Sequence, residues 1–90
     1  MSFNVSGIKF TKDDLSTIVL TDIRAGSISH SHFFHLLPGD KRAILLLRAG
    51  DFIEQSFITK YLEKGMTSLY QLEVVSQEDI DEYKSFWHEI

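Results

Sequence analysis

The run His30-Ser31-His32-Phe33-Phe34-His35 holds the residue types best suited to chemistry in this chain. Imidazoles titrate near neutral pH and bind metals, and on a strand His30 and His32 would project from one face. Two imidazoles two residues apart can begin a metal site. Such a site also needs a third ligand and groups that orient the rings. His35 would face the opposite side of the strand, and His88 sits far along the chain. A metal or small-ligand sensor would therefore rest on His30 and His32 alone. The favoured expectation is a polar start to a strand, with no metal bound. Proton sensing by the clustered histidines is a variant of the same reading.

Nucleophilic chemistry has little to build on. The chain has no cysteine and no Gly-x-Ser-x-Gly elbow. Ser27, Ser29 and Ser31 lie near the histidines, with no carboxylate in register beside them. The paired acids Asp13-Asp14 and Glu78-Asp79-Asp81-Glu82 fall where first helical turns are expected, and there they complement the helix dipole. The loops Arg24-Ala25-Gly26-Ser27 and Arg48-Ala49-Gly50-Asp51 carry one glycine each, against the several of a phosphate cradle. Two turns that each need a glycine explain their echo. The expectation is a protein without catalytic residues and without a cofactor.

Partner binding has a better candidate. Ile80, Tyr83, Trp87 and Ile90 recur at helical spacing, with Phe86 beside them. That stripe either covers a face of the sheet or leaves aromatic anchors for a protein partner or a second copy in a homodimer. Roughly one and a half heptads is too short for a coiled coil.

The elements that must position these residues follow from pattern and turn chemistry. Ile8 and Phe10 alternate with Lys9 and Thr11, as in a short strand. Thr11-Lys12-Asp13-Asp14 has capping-box spacing, and the chain through Leu15 to Val19 can follow as a helix or stay extended. His32 to Leu37 and Arg42 to Leu47 read as a hairpin around Pro38-Gly39-Asp40-Lys41. Its second strand, apolar on both faces, is expected to be central. After the Arg48–Asp51 turn comes a helix capped by Asp51 or Glu54, with an Ile53, Phe57, Ile58, Tyr61, Leu62 stripe and a stop at Gly65. Tyr70, Leu72 and Val74 then alternate with Gln71 and Glu73 as in a half-buried strand. Ser76 to Asp79 resembles a second capping box, before the aromatic helix.

The fold expected is α+β: a small, mostly antiparallel sheet with a central hairpin, backed by two or three helices. Ninety residues allow one domain, residues 1–90. No stop signal precedes Ile90, which fits an N-terminal module of a longer protein. The longest apolar run, Ala43 to Leu47, is far short of the ~20 residues of a membrane span. The first residues lack the basic start and apolar stretch of a signal peptide. These features lead us to expect a soluble, cytoplasmic chain with no membrane insertion. Its net charge is −4, with six basic and four acidic side chains in residues 1–50, and three basic and nine acidic ones in residues 51–90. No basic cluster is available for a phosphate backbone, so nucleic acid is not an expected partner.

Three segments resemble a known family. Leu20-Thr21-Asp22-Ile23-Arg24-Ala25-Gly26, Phe33 to Leu37, and Ile44 to Asp51 are similar to the small N-terminal domain of some HD-GYP-type bacterial signalling proteins. The stretch Ile58 to Tyr70, a helix closed by Lys64-Gly65 and a short strand ending in tyrosine, adds to the likeness. It spans about residues 20–90. The resemblance implies a non-catalytic regulatory module in cyclic-di-GMP signalling. It does not extend to phosphodiesterase activity, since the chain has no His-Asp dyad and no Gly-Tyr-Pro. Nor does it extend to direct cyclic-di-GMP binding, because Arg42 and Arg48 do not have the spacing of a paired-arginine binder.

Overall fold

The computed structural model describes residues 2–39 and 41–74. Its centre is a four-stranded antiparallel sheet in the order β3-β6-β4-β5, formed by β3 (Ser16–Val19), β4 (Ser31–Leu36), β5 (Ala43–Leu47) and β6 (Ser68–Glu73). A separate two-stranded hairpin, β1 (Ser2–Val5) and β2 (Ile8–Thr11), lies over one face. The helix α1 (Gln55–Glu63) lies over the other. The class is α+β, as the sequence pattern implies.

Two corrections concern architecture. Among the described residues there is one α-helix and two 3₁₀ turns, not two or three helices, and a β-hairpin covers the second face of the sheet. The helix expected from Ile80 to Ile90 lies outside the described residues. The second correction is strand order: β4 is interior and β5 closes the sheet. The continuous apolar run of β5 is packed on both faces and includes an irregularity. The register shifts between Phe33 and Phe34, which pair with Leu47 and Leu45, so Leu46 is an extra residue in a bulge. A bulge breaks the in-out alternation. Leu46 and Leu47 thus share the α1 face while Leu45 packs with the hairpin, and all three are half-buried.

β4 joins the two halves of the core. Phe34 and Leu36 point to the hairpin and pack with Phe3, Ile8 and Phe10; the Phe10 and Phe34 rings lie 4.5 Å apart. Phe33 points the other way, among Leu20, Ile23, Ile53, Ile58 and Leu69 beneath α1. β-Branched Thr17, Ile18 and Val19 settle the segment left open by the sequence, pairing as β3 with β6. Only a 3₁₀ turn precedes them, where the Asp14 carboxylate accepts Thr11 N–H at 2.7 Å and its hydroxyl at 3.2 Å. The end of α1 obeys the expected glycine: Gly65 N–H donates to Leu62 O, Met66 N–H to Tyr61 O, and Gly65 has φ +84°. Asp51 does not cap α1. Glu54 takes the N-cap position, and residues 51–53 pair with 26–29 instead.

Candidate functional site

The two Arg-Ala-Gly loops meet. Gly26 N–H donates to Ile53 O, Ile53 N–H to Ser27 O, Ser29 N–H to Asp51 O and Gly50 N–H to Ser29 O, all between 2.8 and 2.9 Å. Their glycines both take positive φ, +92° at Gly26 and +94° at Gly50, the conformation that explains why each loop has one. Asp51 N–H closes the second loop onto Arg48 O at 3.1 Å.

His32 ties this turn to the sheet. Its ring is fully buried, and Nδ1 accepts the Ala49 N–H at 3.0 Å, so the neutral ring carries its proton on Nε2. Burial draws the imidazole down from 6.5 to about 4, against the opposing pull of the Asp51 carboxylate. His30 lies just before β4 and is exposed, while its carbonyl accepts Val74 N–H. The two histidines therefore do not present neighbouring open nitrogens. His35 is half-buried and pairs with Ile44. No group of three or more His, Asp or Glu side chains placed to hold a metal occurs among the described residues.

Ser29, Ser31, His32 and Asp51 converge here, a neighbourhood that the spacing along the chain hides because Asp51 arrives from another turn. The hydrogen bonds do not form a hydrolytic triad. Ser29 Oγ donates to Ser31 O at 2.6 Å and accepts Ser31 N–H at 3.2 Å. His32 Nδ1 is occupied by a backbone amide. A triad needs the base to accept from the nucleophile and the carboxylate to hold the base. Here the serine and the imidazole instead serve backbone groups.

Beside this cluster, at the C-terminal end of β5, lies an open cleft of about 240 Å³ lined by Leu45, Leu46, Leu47, Arg48 and Asp51. Its lining comes from β5 and the turn after it. Hairpin strand β1 comes close to β5 but contributes nothing to that lining. Among the described residues β5 is hydrogen-bonded to β4 alone. Ile44, in the same strand, is 45% exposed. The other end of the sheet differs: β3 has polar Ser16 and Thr17, with Asp13, Asp14 and Asp22 around it. The candidate interaction residues Ile80, Tyr83, Trp87 and Ile90 lie outside the described residues.

No helix among the described residues is long and apolar enough to cross a membrane. Comparison with protein-family models, with curated proteins and with solved structures gives no match.

Proposed function

We propose that this chain is a non-catalytic regulatory domain of a bacterial signalling protein in the cytoplasm, acting by protein–protein contact. Contact is made by adding an extended partner strand to β5. The observation that carries this reading is an all-apolar strand at the end of a sheet, with an open cleft at its C-terminal end. Proteins ordinarily protect such an edge with charge, proline or a covering element, because its unpaired N–H and C=O groups template further pairing. Among the described residues β3 is polar in its first half, whereas β5 is apolar throughout and carries charge only at its two ends. Strand addition takes affinity from main-chain hydrogen bonds and specificity from alternate side chains.

The occupant is an extended segment of a partner protein with acidic residues at its ends. Lys41 and Arg42 are exposed at one end of β5, and Arg48 stands at the other. A second copy laid antiparallel in full overlap would set Arg42 opposite Arg48 twice, and like charges directly opposed destabilise a strand pair. The resemblance of residues 20–90 to a module of HD-GYP-type proteins is the support for placing the partner in cyclic-di-GMP signalling. Metal or ligand sensing through His30 and His32 has no comparable support, since one ring is exposed and the other is committed to Ala49.

A fluorescent synthetic peptide of alternating valine and threonine, ended by glutamates, is the probe. Anisotropy should report binding that Ile44→Lys weakens by about tenfold or more, since an edge lysine blunts strand addition. Equal binding by a lysine-ended peptide, or no effect of Ile44→Lys, would overturn the reading. A dimer in sedimentation that Ile44→Lys abolishes would replace the partner strand with a second copy.

A further inference from the structure

We propose that His32 is an acid-operated latch on the Arg48–Asp51 turn: a proton on Nδ1 ends the Ala49 hydrogen bond and frees the turn that walls the β5 cleft. Three hydrogen bonds join residues 48–51 to residues 29–32: Ser29 N–H to Asp51 O, Gly50 N–H to Ser29 O, and Ala49 N–H to His32 Nδ1. The first two join backbone groups and are indifferent to pH. The third requires an unprotonated nitrogen, because an imidazolium has only donors. A protonated ring cannot stay where His32 sits, fully buried, without losing its hydration. The turn is the element that must give way, since the strand carrying His32 is held by β6 and β5 on both sides.

The charges around the ring set where this happens. From the turn, the Asp51 carboxylate favours the proton, while the half-buried Arg48 carries a like charge. From β6 the ring's partner is apolar Leu72, with Glu73 one residue on and exposed. On β4 itself His35 faces the other side of the sheet, and His30, just before the strand, is exposed. On the same face of β4 the apolar Phe34 ring lies 6.4 Å from the imidazole and packs in turn against Phe10 of the hairpin. Among the described residues burial outweighs the one favourable carboxylate. The latch is closed at neutral pH and opens toward pH 4. It stands on its own hydrogen bonds; only its effect on the cleft rests on the strand-addition reading.

The test is an amide and imidazole nitrogen NMR titration of the whole chain from neutral pH to about 3.5, spanning the shifted and ordinary histidine ranges. As the His32 ring titrates, the Ala49 amide should move upfield and lose exchange protection by about tenfold or more, while Phe34 and Ile58 keep theirs. An Ala49 amide unchanged across the range would overturn the latch. So would simultaneous loss of all three amides. His32→Asn offers an acceptor oxygen that does not titrate and should keep Ala49 protected throughout; an acid transition like the wild type's would also refute the latch. Should that variant fail to fold, the wild-type titration decides alone. Release of Ala49 with no peptide bound at any pH would uphold the latch and remove the strand-addition reading.

Discussion

At His32 a neutral imidazole stands in for the carbonyl that would ordinarily receive Ala49 N–H. The substitution ties stability to pH. The unfolded chain takes up the proton near 6.5 and the folded one only near 4, so between those values the unfolded state binds more protons. Stability from this group is full above about 6.5, falls as pH drops through the window, and levels off below about 4. The shift corresponds to on the order of 3 kcal/mol. That figure is an upper bound, because an opened turn lets the ring reach water while the rest stays folded. Urea unfolding at neutral pH and near pH 4 should show His32→Asn losing about 2 kcal/mol less than the wild type. Equal losses would mean that the folded His32 does not resist its proton. His32→Leu separates the hydrogen bond from the titration. It leaves the Ala49 amide, in a residue fully buried, without its acceptor and should cost about 1–3 kcal/mol at neutral pH.

Elements in this fold begin and end on residues that hold unusual backbone angles. The β1–β2 turn needs positive φ at two positions, Ser6 at +52° and Gly7 at +82°, as in a type I′ hairpin turn. Serine tolerates that region poorly and asparagine better. Ser6→Asn should therefore raise stability by about 0.5–1 kcal/mol, read as a higher urea midpoint with an unchanged slope. At the other extreme, Gly65→Ala meets no steric neighbour but keeps φ at +84°, so its penalty is conformational, about 1 kcal/mol. A larger loss would point to a role beyond ending α1. These same turns show what could be read in advance. Pro38-Gly39 announced the β4–β5 hairpin, and Gly65 announced the end of α1. Ser6-Gly7 is an equally local signal, and only the shortness of the Ser2 to Val5 strand hid its partner. Sheet order was not legible, because the pairings of β6 with β3 and β4 join residues far apart in sequence. The apolar run of β5 rightly reads as cover on both faces, with Ala43 and Leu45 in one core and Leu46 and Leu47 in the other, but cover on both faces does not make a strand central. The meeting of Asp51 with Ser29 and His32 is non-local in the same way. Neither motif spacing nor composition could place it.

The whole molecule is a sheet with two cores that share β4. No ladder joins the hairpin to the four-stranded sheet among the described residues, so side chains hold it there: Phe3, Ile8 and Phe10 against Phe34 and Leu36. One consequence would be a hairpin that detaches on its own. Two considerations oppose it. An isolated two-stranded hairpin is barely stable in water. Its departure would also bare Phe34, Leu36, Tyr70 and Leu72 on the strands that carry the other core. Because Phe33 and Phe34 are adjacent on one strand, loosening β4 on one face loosens the ladder that holds the other. The hairpin and α1 should therefore unfold together. Phe34→Ala, which removes about 3–5 kcal/mol of packing, tests this on the face that α1 does not touch. Following the methyl groups of Ile8 and Ile58 by NMR through a urea series should give one shared midpoint, shifted equally for both. If Ile8 is released in Phe34→Ala while Ile58 keeps the wild-type midpoint, the hairpin is a separate unit. The cleft beside β5 would then belong to a sheet that does not need its cover. The coincident outcome makes β4 the common support of both cores and, through His32, of the turn that borders the cleft.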